Sequence, residues 1–546
     1  MKTLHQARRS RLTLMVAMAL LLLLGGCAQP APQPTLPPAQ AQPTQAPAME
    51  QPTQVPATKE VPQATSPAGP TGQLVIGQGQ DPRTMWGLQG YAMQELNVST
   101  LISERLIDLD QNGGLVPVLA TSWKQLDDVT IQLDLRQNVK FTNGEEFDSE
   151  SAKFSIEEMI AAPNYQTFVG VIAGAEVVDK HTLNVKTKTP TGVGLLALAM
   201  GSYQFPKQYY SEVGKDVFGN KPYGTGPYTL VNWVKDSQVT LEANLEYWGG
   251  PPSIKTVIFR NIPEGSARIA ALEAGDVDLI VDVPLDAVER LESTAGLNVA
   301  AVPGLRMYNL TLSTLPNLTD SPLTDPKVRK AIGYALDVDT IVDTIFSGRA
   351  THLANQPLSP VYFGHNPNLQ PIPYDPEKAK QLLAEAGYPD GFEVTFKYPA
   401  GRYVQDKEVS QAIAGQLSKV GIRTNQVVLE PGTFLDQLNK LELNDMYFSG
   451  SMPPPDAHFI FMNYLCGFVY SYHCNEEYTA MWEEAAATVD PEERRQIYWK
   501  MLDNLIEDPP AVPLYYVNDH YAYRDNVVGF VPWASGHVDV YGLSVK

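Results

Sequence analysis

Two hydroxyls and one carboxylate, Ser449, Ser451 and Asp456, stand around three consecutive prolines in the stretch SGSMPPPD, residues 449–456. A proline has a fixed φ and no backbone N–H, so three in a row cannot continue a helix interior or a central strand. The stretch therefore reads as a stiff connection that aims side chains, hung between the apolar runs LNDMYF and FIFMNYL. Its chemistry is that of binding rather than bond-making. The chain has no Gly-x-Ser-x-Gly elbow, no His-Glu-x-x-His pair and no phosphate-cradling Gly-x-x-x-x-Gly-Lys loop, and the short Gly77-x-Gly79 pattern is too sparse to hold a phosphate. No catalytic residue, metal site or cofactor is expected, and a hydrolase is the disfavoured alternative.

The rest of the chain must position that loop. Its 546 residues are 44% hydrophobic and 18% charged, enough for a sizeable core, and the formal charge is -21. No basic patch interleaved with aromatics is present, which excludes nucleic acid as a partner. At the N-terminus Lys2, Arg8, Arg9 and Arg11 precede an apolar run from Leu12 to Leu24 and then Gly25, Gly26 and Cys27. Residues 1–26 are expected to be a signal peptide, because the run is short for a bilayer span and ends in small residues. Leu24-Gly25-Gly26-Cys27 resembles the bacterial lipobox, which implies acylation at Cys27 and a lipid anchor outside the cytoplasmic membrane. Residues 27–72 are rich in Pro, Gln, Ala and Thr, cannot bury a core, and read as a tether reaching at most about 140 Å in the polyproline limit. Of 3 cysteines, this leaves Cys466 and Cys474 in LCGFVYSYHC as a pair. In an exported chain a disulfide is their default state. A metal site with His473 and His458 is the alternative, although no zinc-type spacing supports it.

From residue 73 onward, strand and helix patterns alternate. QLVIGQ, TIQLDL, HTLNVKT, SQVTLEAN, SIKTVIF, FEVTFKY and QVVLE read as strands from their β-branched, often alternating residues. Asp325-Pro326, Asp375-Pro376 and Asp490-Pro491 each put a capping carboxylate before a proline at a first helical position, and Gly387 ends the second helix. Mixed α/β architecture follows.

Several ordered segments carry a resemblance. LVPVLATSW (115–123), LRQNVKFTNGEEFDSESAKFS (135–155), YGTGPYTLVNW (223–233), ALEAGDVDLI (271–280), LTDPKVRKAIGYALDVDTIV (323–342) and YDPEKAKQLLAEAGYPDGFEVTF (374–396) are similar to family 5 of the bacterial extracellular solute-binding proteins. These are the dipeptide, oligopeptide and nickel receptors of ABC importers. The resemblance implies a two-lobed, periplasmic-binding-protein-like clamshell, type II, of the large class with an extra inserted subdomain. Lobe I would comprise 73–305 plus 508–546, with the insertion at about 106–219, and lobe II 306–507. It implies a monomer that captures a peptide or other small solute by closing its lobes and passes it to ABC permease subunits. An oligosaccharide, an opine-like conjugate, a metal chelate or a sensory role are the alternatives on the same scaffold.

The resemblance also suggests a site. In AGRYVQDKEVSQAI (400–413), Arg402 stands where peptide-binding relatives offer an arginine to a ligand carboxylate, with Tyr403 as a neighbouring pocket aromatic. In SGSMPPPD the relatives' ammonium-binding aspartate falls on Ser451, with Phe448 at the aromatic position and Asp456 as the nearest substitute carboxylate. Tyr447, Phe448, Ser449 and Ser451 would then form a hydroxyl and aromatic lining suited to a ligand without a free amino terminus at that place.

Overall fold

The computed structural model describes residues 69–546, residues 91 and 319 apart. Cys27, the signal peptide and most of the tether lie outside the described residues. Strand formation follows the alternation in the sequence: in Phe392–Pro399 the side chains of Phe392, Val394, Phe396 and Tyr398 are buried on one face while Glu393 points to solvent. Among the described residues an 11-stranded mixed sheet runs in the order Ile422–Leu429, Phe392–Pro399, Met446–Ser451, Leu297–Leu312, Ala511–Arg524, Leu279–Ile280, Thr71–Gln78, Ile254–Asn261, Gln238–Ala243 and Tyr228–Val234, with Ala350–His352 added beside Ala511–Arg524. One end of this sheet carries a core built around Leu310, Phe396, Phe448 and Ile413. The other end is covered on both faces, with Leu74, Ile76 and Phe259 on one side and Val75, Ile280 and Val288 on the other.

Two long antiparallel strands join the ends. Leu297–Leu312 and Ala511–Arg524 stay paired over most of their length, but the register jumps between Pro303 and Met307. Three residues there, 304 to 306, face a single residue, Val517, on the partner strand. The carbonyl of Val517 would lie 2.3 Å from a Cβ at position 304, so only glycine fits. The sequence strand pattern missed both of these elements, because Pro303-Gly304 reads as a turn and YYVNDHYAY does not alternate cleanly. SGSMPPPD also needs correcting. Ser449, Gly450 and Ser451 are not loop but the end of strand Met446–Ser451, paired opposite Asn309, Tyr308 and Met307. The stiff connection begins only at Met452.

A second, four-stranded antiparallel sheet orders Ala120–Asp127, Thr130–Leu135, Thr182–Thr187 and Ile172–Asp179 and packs on helix Ser149–Ala161 through a separate core that includes Leu133, Ile156 and Val185. Helix starts fall where the aspartates place them: Asp325, Asp375 and Asp490 accept the backbone N–H of Lys327, Lys378 and Glu493 at 2.8, 2.9 and 2.8 Å. Cys466 and Cys474 are joined as a disulfide. Among the described residues no helix is long and apolar enough to cross a membrane, and no group of His, Cys, Asp and Glu is arranged to hold a metal.

Candidate functional site

A cavity of about 250 Å³ opens where three parts of the chain meet. Its first wall is the 105–113 segment with Tyr165 and Phe168; its second is Leu305, Val361 and Met452–Pro455; its third is Met93, Leu96 and the turn from Trp533 to His537. The proline run thus aims at this space. Its position is fixed by the neighbouring segment, because the buried Tyr362 hydroxyl donates to the carbonyls of both Leu305 (2.8 Å) and Pro453 (3.0 Å), and the Phe363 N–H donates to Pro455 (3.0 Å). Leu305 lies in the register jump of the long strands, so one tyrosine couples the cavity wall to the point where the sheet's ladder is interrupted.

Beside the cavity, the region of the four-stranded sheet touches the 457–488 segment directly. Gly192 N–H donates to the carbonyl of Ala486 at 3.0 Å, and the rings of Phe168 and Phe459 meet edge to face at 5.9 Å. A Cβ on Gly113 would lie 3.0 Å from the Val361 carbonyl and 3.6 Å from Pro455, so the tip of the 110–114 turn touches the proline run directly.

The lining is mostly apolar, with one polar corner. Arg105 and Asp108 form an ion pair at 3.2 Å, and the Arg105 guanidinium also lies 4.9 Å over the Tyr203 ring and donates to the carbonyl of Ala199. Burial lifts the Asp108 carboxyl above its ordinary value, although Arg105 and the Leu109 N–H pull the other way. His537 stacks edge-on with Trp533 at 5.0 Å, and burial, reinforced by the positive charge of Arg105, pushes its pKa down to about 4. The imidazole is therefore neutral at pH 7.

The expected site residues fall around this cavity rather than on its wall. Tyr447 and Phe448 are neighbours on a strand and so face opposite ways. Tyr447 is buried among Phe434, Leu443 and Tyr472, whereas Phe448 stacks on Tyr308 at 5.7 Å in the other core. They cannot line one pocket together. The Ser449 hydroxyl lies 3.0 Å from that of Thr311, and Ser451 is half-buried at the strand end. Arg402 is exposed, holds its guanidinium 5.2 Å from the Tyr403 ring, and makes no ion pair among the described residues. Tyr403 donates to the Gly450 carbonyl at 3.2 Å. Asp456 is 2% exposed; its oxygens accept from Arg494 Nη1 at 2.9 Å, the Tyr498 hydroxyl at 3.1 Å and the His458 N–H at 2.9 Å. Three internal donors occupy that carboxylate. Met452–Pro455 is the part of the quoted stretch that reaches the cavity. Arg105, Asp108 and His537 were not singled out from the sequence, although Asp108 and Asp110 in IDLD alternate as same-face strand residues do.

A family model, bacterial extracellular solute-binding proteins, family 5 (middle), matches residues 114–470. The chain belongs to that family. It is 27% identical over 489 residues to heme-binding protein A of Haemophilus influenzae, covering 82% of this chain and 87% of that one. It is 27% identical over 443 residues to the glutathione-binding protein GsiB of Salmonella typhimurium, covering 78% and 85%. Among solved structures, the periplasmic binding protein DppA from Helicobacter pylori in complex with peptide STSA superposes with a TM-score of 0.69 at 26% identity, covering 87% of this chain and 98% of that one. HbpA2 from Haemophilus parasuis gives 0.79 at 24% identity, covering 87% and 100%, a likeness of fold. This family member is a two-lobed α/β clamshell and an extracytoplasmic solute-binding protein of the ABC-importer type. Members of the family are transport receptors, not enzymes.

Proposed function

We propose that this receptor captures a small peptide in the cavity between the 105–113 segment and Met452–Pro455, and that closing of the lobes at the 303–307 register jump presents it to a membrane permease. The observation that carries this reading is an apolar cavity with one polar corner, walled by three parts of the chain, in a protein whose fold is shared with a peptide-bound relative. The lobes in this reading are 73–305 with 508–546, carrying the insertion at about 106–219, and 306–507. The mature chain would be monomeric and acylated at Cys27.

Thermal-shift screening of the full chain tests the ligand. Unmodified peptides, glutathione, oligosaccharides, opine-like conjugates, heme and metal chelates are compared, and peptides are expected to give the largest stabilisation. A panel in which only a non-peptide class stabilises the protein overturns the peptide assignment. Replacing Cys27 by Ser is expected to move the protein from the membrane to the aqueous fraction on cell lysis. Continued tight membrane retention defeats the anchor.

A further inference from the structure

The charged side chains on the cavity wall are one guanidinium, Arg105, and two carboxylates, Asp108 and Asp110, which leaves one negative charge in excess. His537 on the same wall does not cancel it, because burial and Arg105 keep the ring neutral at pH 7. The carboxylates are not equivalent. Asp110 Oδ1 accepts the N–H groups of Asn112 and Gly114, both at 2.8 Å, and so holds its own turn together. Asp108 uses only Oδ1, which takes the Leu109 N–H at 2.8 Å and Arg105 at 3.2 Å. Its Oδ2 has no partner among the described residues, and its side chain keeps 31% exposure on the wall.

Arg105 is placed differently. It is 11% exposed, and the Ala199 carbonyl, the Tyr203 ring and Asp108 already surround its head, so it is tied back from the space rather than offered to it. A ligand carboxylate would meet two acids before the tethered cation. A ligand cation would meet one half-used carboxylate and a neutral imidazole whose ring nitrogens have no partner among the described residues.

Resting on the reading that this cavity is the ligand site, we infer that it selects a ligand with an apolar body and one N–H-bearing cationic head, held by Asp108 Oδ2. The body lies against Phe168, Leu305, Met452 and the proline run, and the head lies at the Arg105–Asp108–His537 corner. Asp108 thereby supplies, from the facing wall, the anion that the strand ending in Ser451 lacks.

Matched pairs test this on the full chain. Calorimetric affinities are measured for hydrophobic dipeptides and their N-acetyl forms, and for aryl-alkyl amines and the corresponding alcohols. The wild type is compared with Asp108→Asn and with the exposed control Asp127→Asn. Free amines are expected to bind at least about tenfold more tightly than their acetylated or hydroxyl counterparts, and Asp108→Asn is expected to abolish that difference while Asp127→Asn preserves it. Acetylated compounds that bind as well as free amines, undiminished binding of amines to Asp108→Asn, or no binding by any cationic compound would each overturn the assignment. Should Asp108→Asn fail to fold, the acetylation comparison on the wild type decides alone. The two readings fail separately. Non-peptide amines that bind through Asp108 while peptides stay silent remove the peptide assignment and keep this one, whereas peptides indifferent to acetylation do the reverse.

Discussion

Asp456 and Arg494 form an ion pair at 2.9 Å in which both side chains are almost fully buried, 3% and 7% exposed. Removing one member of such a pair strands the other charge out of water, and the guanidinium's contact 4.4 Å over Phe363 compensates only in part. Asp456→Asn is therefore expected to lower the unfolding free energy by about 3 kcal/mol, read from denaturant titration, without abolishing ligand affinity in the protein that remains folded. A variant as stable as the wild type would show that the pair contributes nothing net. Glu104 poses the opposite case. It accepts from Tyr247 at 2.6 Å and Trp248 at 2.8 Å, yet burial outweighs these bonds and raises its pKa to about 7 from 4.5. The folded state thus disfavours the ionised form. The stability associated with its proton is complete below pH 4.5 and is lost as pH rises through about 7. The swing is on the order of 3 kcal/mol, and Glu104→Gln is expected to flatten the fall in melting temperature across that window. Equal pH profiles for the two proteins would refute it. Neither role was legible in the sequence, because Arg494 lies 38 residues from Asp456 and Tyr247 lies 143 from Glu104. A Pro-Asp dipeptide looks the same whether the acid binds a ligand or an internal arginine.

Elements were more legible than their partners. The strands with strict alternation and the three helices with Asp-Pro starts appear where local residues put them, since propensity and capping act over a few neighbours. The joining strands Leu297–Leu312 and Ala511–Arg524 escaped because their state is set by pairing with each other over 200 or more residues of separation, not by their own pattern. The 191–193 turn is another such feature. Gly192 approaches the end of helix Glu476–Ala487 so closely that a Cβ would lie 2.2 Å from the Thr488 carbonyl and 2.6 Å from Arg494 Cδ. Gly192→Val is expected to push the turn away, break the hydrogen bond to Ala486, and weaken ligand binding about tenfold by disfavouring the closed form. Unchanged affinity in calorimetry would mean that this contact plays no part in closure.

For the whole molecule, the segments that resemble the family build scaffold: a turn at Gly224 and Gly226, a left-handed helix end at Gly275, helix caps. That is why the fold and the receptor class were readable, while the cavity, assembled from residues near 108, 455 and 537, was not. The sheet is continuous across the two joining strands, so under the proposed closure the register jump at 303–307, where the ladder is already interrupted, is the expected hinge, and the Tyr362 hydroxyl links it to the proline run. Ligand that bridges the 105–113 wall and Met452–Pro455 is expected to bind the closed form preferentially. At a hundredfold excess over its dissociation constant it is expected to stabilise the protein by about 2.7 kcal/mol and to reduce the radius of gyration in solution scattering. Gly192→Val should need more ligand for the same compaction, because its closed state must be reached without the Gly192–Ala486 bond. Stabilisation with no change in scattering would show that no closure accompanies binding, since a clamshell that is already shut without ligand gains contacts but no compactness.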